Sequence, residues 1–243
     1  MEKIFGIHSV RAVLLTRPRA VRRLVVLAGQ EPYLEEILEL ARRARVEPES
    51  LPHDKFLRVA NFNEDERRHK HQGVCAFAEP RTIYGEGDIE RLRDARVVLA
   101  LDQVSNPQNL ATILRTAAFF GVDAVLLLKN RSASLTPEVV RVAVGGAEYV
   151  KVFEVINLAR SLERLKEAGF WVYGLDERGE RTLAETDFGE HTALVVGAEG
   201  EGLRQRTRKF CDALVRIPGG RPGLGSLNVG IATAVAIAEL YRK

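Results

Sequence analysis

Apolar residues recur along this chain in two textures, and the change between them divides it. In residues 6–15 (GIHSVRAVLL) they fall at helical spacing, while residues 22–27 (RRLVVL) form a short apolar run stopped by Gly29. Pro32 opens a helical stretch over residues 33–44, in which Leu34, Ile37, Leu38 and Ala41 share one face. Residues 54–60 read as a shorter helix and residues 74–78 as a strand. Residues 1–79 are therefore expected to form a small α/β unit. Residues 80–94, with Pro80, Gly85 and Gly87 in their first half, read as a linker.

Beyond the linker the apolar runs become short and nearly continuous: residues 97–101 (VVLAL), 124–128 (AVLLL), 170–173, 193–196 (ALVV) and 213–217 (ALVRI). Such runs suit strands covered on both faces. Helical stretches at 136–144, started by Pro137, and 158–168, stopped by Gly169, lie between them, and an apolar helix over 229–240 ends the chain. The fold class expected for residues 95–243 is an α/β domain with an open, mostly parallel sheet and helices on both sides.

Composition narrows the picture only a little. The chain has 243 residues, 46% of them hydrophobic and 28% charged, enough for one large or two modest cores. Cys75 and Cys211 lie far apart without C-x-x-C spacing, so neither a disulfide framework nor a zinc site is expected. The five histidines, His8, His53, His69, His71 and His191, have no ligand spacing and are expected to be surface or packing residues, with His69 and His71 open to RNA contact. Trp171 is expected in the core. No charged-then-apolar leader is seen, and residues 229–240 fall well short of the roughly 20 needed to span a bilayer, so no membrane role and a cytoplasmic location are expected.

A net charge of +3 neither demands nor excludes a nucleic-acid partner. Local charge is more telling. Arg17, Arg19, Arg22 and Arg23, then Arg42, Arg43 and Arg45, then Arg67, Arg68, His69, Lys70 and His71 cluster before residue 80, interleaved with glutamates. Two readings fit these clusters: solvated element faces, or a surface that tracks phosphates.

The candidate chemistry lies in three segments. In LDQVSNPQNLATILRTAAFFG (101–121), Ser105 or Asn106 can cap a helix that Pro107 begins. At about 100° per residue, Gln108, Asn109, Thr112, Arg115 and Thr116 fall within a ~120° sector, so Asn109 and Arg115 share a polar face. Amide, hydroxyl and guanidinium groups at the carboxyl end of a parallel strand suit a binding site. The second segment, GAEGEGL (197–203), places Glu199 between glycines directly after an apolar strand, where it either caps a helix electrostatically or accepts a hydrogen bond from a ligand or side chain. The third, IPGGRPGLGSLNVG (217–230), is a glycine-rich loop entering the last helix, with Ser226 and Asn228 at the helix start. Alone it fits a flexible loop as well as a polar pocket.

Taken together, DQVSNPQNLATILRTA, VVGAEGEGL and IPGGRPGLGSLNV resemble the three ordered motifs of the SpoU (TrmH-type) RNA ribose 2′-O-methyltransferases of the SPOUT class. The N-terminal unit, with GIHSVRAVL and HQGVCAFAE, is similar to the substrate-binding domain that precedes the catalytic domain in bacterial 23S rRNA guanosine-2′-O-methyltransferases. The resemblance implies a SPOUT catalytic domain over residues 95–243 with a C-terminal trefoil knot, S-adenosyl-L-methionine as cofactor, no metal, and a homodimer paired through the knot region. It implies that Gly197, Ile217 and Leu227 line the cofactor pocket and that Asn109, Arg115, Glu199, Ser226 and Asn228 form the catalytic polar site. It further implies an RNA partner, a guanosine of 23S rRNA ahead of a tRNA target; a non-catalytic RNA-binding or ribosome-assembly protein is the remaining alternative. The chain departs from the motif at Gly219, where the family carries Met, and its loop before Ser226 is one residue longer. Rival α/β readings lack support: the first strand is not followed by G-x-G-x-x-G, and GGRPGLGS lacks the Lys of a phosphate-binding loop.

Overall fold

Alternating apolar strands and amphipathic helices sort themselves into two units in the computed structural model, which describes residues 1–62, 71–219 and 226–242. The first unit comprises Met1–Thr82 and Leu135–Tyr149, the second Ile83–Ser134 and Val150–Lys243.

The first unit is built on a four-stranded sheet of β1 (Glu2–Phe5), β2 (Val21–Leu27), β3 (Pro48–Leu51) and β4 (Val74–Ala78) in the order β1-β4-β2-β3. Helix α1 (Ile7–Thr16) buries Val10, Val13 and Leu14, and α2 (Glu35–Arg43) buries Ile37 and Ala41, against one face of the sheet. Pro32 starts a separate 3-10 turn, Glu31–Leu34, so α2 begins two residues later than the pattern predicts. Helix α3 (His53–Ala60) covers the other face with Phe56 and Ala60. Here His71 is buried: its Nδ1 accepts from the Gly73 backbone N–H at 3.0 Å, and its ring lies 5.1 Å from that of Phe56 and 5.2 Å from that of Phe62. It packs the core and cannot reach RNA as expected. Arg67, Arg68, His69 and Lys70 lie outside the described residues.

The first unit also holds a chain of largely buried ion pairs. Glu148, its side chain only 1% exposed, pairs with Arg17 at 2.7 Å and Arg81 at 2.9 Å, and Glu2 pairs with the same two arginines at 2.8 and 2.5 Å. Glu148 is delivered by α5 (Pro137–Val142), capped by the Thr136 hydroxyl, and by a left-handed turn at Gly145. A Cβ there would sit 2.5 Å from that of Ala12, so only glycine allows this close approach to α1. Several arginines of the basic clusters are likewise paired: Arg22 with Glu79, Arg23 with Glu49 and Arg43 with Glu39.

The second unit has an eight-stranded sheet in the order β10-β12-β9-β11-β6-β7-β8-β5, every pairing parallel. Its strands are β5 (Ile83–Tyr84), β6 (Val97–Asp102), β7 (Ala124–Leu128), β8 (Lys151–Val155), β9 (Trp171–Leu175), β10 (Arg181–Thr182), β11 (Thr192–Gly197) and β12 (Ala213–Arg216). Within residues 80–94, Ile83–Tyr84 pairs with β8, and the 3-10 turn Glu86–Leu92 buries Ile89 and Leu92 beneath the sheet. Helix α6 (Leu158–Glu167) packs on that face with Leu158, Leu162 and Leu165. The other face carries α4 (Pro107–Phe120), which packs against α8 (Val229–Arg242). Burial pushes the Cys211 thiol up to about 12, so it is a packing group, lodged where Gly174 leaves no room for a Cβ. Trp171 corrects another expectation. As the first residue of β9 it stands at the amino edge of the sheet, 55% exposed, while Val172 beside it is fully buried.

Candidate active site

Strands β6 and β11 are neighbours in register, with Asp102 opposite Gly197 at their carboxyl ends. From β6 the chain proceeds outward through β7 and β8, whereas β9, β11 and β12 lie on the other side of it. This is the place where strand order reverses, and in open parallel sheets a crevice opens there.

Each of the three sequence segments delivers a side chain to this crevice. After β6, the Asn106 side chain accepts from the Gln108 backbone N–H at 2.8 Å and Pro107 takes the first helical position, which puts Asn109 in the opening turn of α4, buried at 6% exposure. After β11 the loop doubles back. Gly200 and Gly202 take left-handed backbone, the Gly202 N–H donates to the Ala198 carbonyl at 2.9 Å, and Glu199 stands at the tip. Before α8, Asn228 caps the helix, its Oδ1 accepting from the Gly230 N–H at 2.9 Å.

The three side chains close a ring. Asn109 Nδ2 donates to Glu199 Oε2 at 3.0 Å, and Asn228 Nδ2 donates to both Glu199 Oε1 at 3.1 Å and Asn109 Oδ1 at 3.0 Å. Every side-chain oxygen and nitrogen of the three is engaged, so the ring ties three separate segments together with no ligand needed to satisfy it. Glu199 therefore takes the hydrogen-bonding alternative; the following short helix, α7 (Gln205–Arg208), is entered through Arg204 instead. Arg115 and Ser226 are exposed and have no ion pair or side-chain hydrogen bond among the described residues, so their groups are free to meet a ligand.

Beside the ring lies a cavity of about 490 Å³, lined by Gly197, Ile217 and Leu227 together with Glu199 and Ser226; Asn109, Arg115 and Asn228 are not in its wall. Gly197 cannot be replaced without displacement, because a Cβ would meet the Gly202 carbonyl carbon at 2.2 Å. The glycines at 220, 223 and 225, and Arg221, fall outside the described residues.

Sequence reasoning overlooked two acidic residues in this region. Asp176, in the cavity wall, accepts from the Arg178 N–H at 3.0 Å. Asp102 is fully buried and accepts from Arg204. Asp102 ends one apolar parallel strand and Asp176 directly follows another, and that position was the available signal.

Comparison with known proteins places the chain in a family. The SpoU rRNA Methylase family profile matches residues 96–238, and the profile described as RNA 2′-O ribose methyltransferase substrate binding matches residues 3–84. The chain belongs to the SpoU rRNA methylase family. A 23S rRNA (guanosine-2′-O-)-methyltransferase RlmB from Pseudomonas putida is 38% identical over all of this chain and 97% of its own length. Its counterpart from Acinetobacter baylyi is 39% identical with the same coverage. Among solved structures, the SpoU methyltransferase AviRb from Streptomyces viridochromogenes in complex with AdoMet shares the fold, with a TM-score of 0.76 at 23% identity over 99% of this chain and 89% of that one. Within the range that the SpoU profile matches, the three sequence segments supply Asn109, Glu199 and Asn228, and the ring is where they converge.

Among the described residues, no helix is long and apolar enough to cross a membrane, and no group of three or more His, Cys, Asp or Glu is placed to hold a metal ion.

Proposed function

We propose that this SpoU protein methylates a ribose 2′-hydroxyl in RNA, a guanosine of 23S rRNA, with S-adenosyl-L-methionine as methyl donor. One observation carries the reading: the Asn109–Glu199–Asn228 ring closes at the strand switch point beside a nucleoside-sized cavity, with Arg115 left free on the adjoining helix. The end-to-end identity to guanosine-2′-O-methyltransferases supports the rRNA target.

The cavity suits the donor. Ile217, Leu227 and Val229 offer apolar wall to an adenine, Gly197 lets a ligand approach the backbone, and the carboxylates of Asp176 and Glu177 favour a cationic or hydroxylated group. When bound, S-adenosylmethionine supplies an electrophilic methyl group on a sulfonium. The chain's own residues must then align a poor nucleophile and favour its deprotonation. A guanidinium is a poor general base, so Arg115 takes another role. It anchors a backbone phosphate next to the target and favours the developing alkoxide, while Ser226 positions the ribose. Asn109, Glu199 and Asn228 act as the frame that holds these groups over the cavity.

Residues 1–79 serve as the RNA-binding domain and 95–243 as the catalytic domain, joined by 80–94. Arg19, Arg42 and Arg45, which have no ion pair among the described residues, are among the groups available to phosphates in the first unit. The C-terminal trefoil knot is supported by strand order, since β12 pairs with β9 across from β11 before α8 returns to pack on α4. A homodimer through this region is supported by Ile231 and Val235, exposed one turn apart on α8. The protein works in the cytoplasm, where ribosomes are assembled.

The test is to map 2′-O-methyl groups on rRNA and tRNA from a strain lacking the gene, with and without the protein restored. A single guanosine of 23S rRNA should lose and regain its methyl group. Loss confined to tRNA would overturn the rRNA assignment, and absence of S-adenosylmethionine binding by calorimetry would overturn the catalytic one.

A further inference from the structure

We infer that Asp102 and Arg204 form a positioning pair that sets where Glu199 and the cavity wall stand; this rests on the methyl-transfer reading above. Asp102 has no exposed surface, yet it carries a carboxylate at the very end of β6. Its Oδ2 accepts from the Arg204 backbone N–H at 3.1 Å, and its Oδ1 accepts from Arg204 Nε at 2.7 Å and pairs with Nη2 at 2.5 Å. One residue thus grips the main chain and the side chain of the other. Burying such a pair gains little stability over packed apolar side chains, so its value is sought in geometry.

That geometry is specific. Residues 102–109 touch the Glu199 loop at two points, at the base through Asp102 and Arg204 and at the tip through Asn109 and Glu199. Between these points the returning leg of the loop lies directly on the end of β11, where a Cβ on Gly197 would meet the Gly202 carbonyl oxygen at 2.3 Å and the Leu203 nitrogen at 2.4 Å. Arg204 is the next residue along that leg. Its anchor on Asp102 keeps the leg seated, and the seated leg presents Gly200, Glu201 and Gly202 to the cavity and Glu199 to the two asparagines. Without the anchor, the wall next to the donor shifts first and the ring second.

The experiment compares Arg204→Met and Arg204→Lys in the full-length protein; the Arg204 side chain is 39% exposed, but Met leaves the buried Asp102 carboxylate without its cation, so stability is read beside function and the Lys variant, which restores the charge, serves as control. Three quantities are read: S-adenosylmethionine affinity by calorimetry, kcat and KM for donor and RNA separately, and the thermal midpoint. Arg204→Met should weaken donor affinity about tenfold and lower kcat, with the RNA KM within about twofold of wild type, and Arg204→Lys should recover part of the loss. Donor affinity and kcat both unchanged in Arg204→Met would overturn the pair's role. So would equal losses toward RNA and donor, or a Lys variant no better than Met. Wild-type protein that neither binds the donor nor transfers methyl would instead remove the reading on which the pair depends.

Discussion

Asn109 and Asn228, 119 residues apart in the chain, meet side chain to side chain, the Asn228 amide donating to the Asn109 carbonyl oxygen at 3.0 Å. The same Asn228 nitrogen also serves Glu199, while the Asn228 oxygen caps α8. These two duties can be separated. Asn228→Asp keeps a capping oxygen but turns a second carboxylate toward Glu199, whereas Asn228→Ala loses the cap and two hydrogen bonds of the ring but leaves Asn109 bonded to Glu199. At neutral pH, Asn228→Asp should reduce single-turnover methyl transfer more than Asn228→Ala, about 100-fold against about tenfold, because repulsion opens a ring that mere absence only weakens. Wild-type turnover in Asn228→Asp would show that the ring is dispensable.

Arg115 stands outside the ring, exposed on the first helix beyond the strand switch. Arg115→Lys keeps the charge and gives up the planar fork, so turnover should fall at least about tenfold with donor affinity unchanged. Calorimetry and turnover on the same preparation make the check. A Lys variant with near-full kcat would mean that charge alone suffices and that bidentate phosphate anchoring plays no part.

Most of the strand–helix alternation could be read from the sequence because parallel strands buried on both faces are near-continuous apolar runs, as in Val97–Asp102 and Thr192–Gly197. Glu2–Phe5, Pro48–Leu51 and Lys151–Val155 escaped because charged or proline-containing segments become strands only through their partners: Pro48–Leu51 is an edge strand held by β2. In the site, the polar sector of α4 pointed to Asn109 and Arg115 together, yet the structure gives them opposite situations, one buried in the ring and one free. A helical wheel records direction but not what another loop brings to meet it. Asp102 was missed for the same reason, since its partner Arg204 lies 102 residues away. Trp171 was misread because its place in an apolar strand suggested burial, while its position as the first residue of that strand decided exposure.

Gly197 offers a sharper structural test. A Cβ at this position overlaps the backbone of Gly202 and Leu203, which cannot move aside as a flexible side chain would. Gly197→Ala should therefore cost about 1–3 kcal/mol of stability and push the Glu199 loop off the end of β11. Donor binding should be lost while the protein remains folded, as followed by calorimetry alongside a urea titration. Wild-type affinity in this variant would mean that the loop's return path over β11 is not what shapes the cavity.

The ion pairs of the first unit make its stability sensitive to acid in a defined direction. Burial alone would raise the Glu2 carboxyl, but the charges and hydrogen bonds of Arg81 and Arg17 outweigh it and hold the group below its ordinary value of 4.5. A carboxyl whose folded value is depressed contributes stability that is fully present above the unfolded value and is lost as pH falls through the folded one. Glu2→Gln removes that contribution at every pH, so wild type should exceed Glu2→Gln by about 1–2 kcal/mol near pH 7. The gap should begin to close below about pH 4.5 and vanish once Glu2 is protonated in the folded state. Urea midpoints for both proteins from neutral pH downward measure it, and taking the difference cancels the other carboxylates that titrate in this range. A gap that stays constant into strong acid, or widens, would mean that Arg17 and Arg81 do not hold Glu2 ionised.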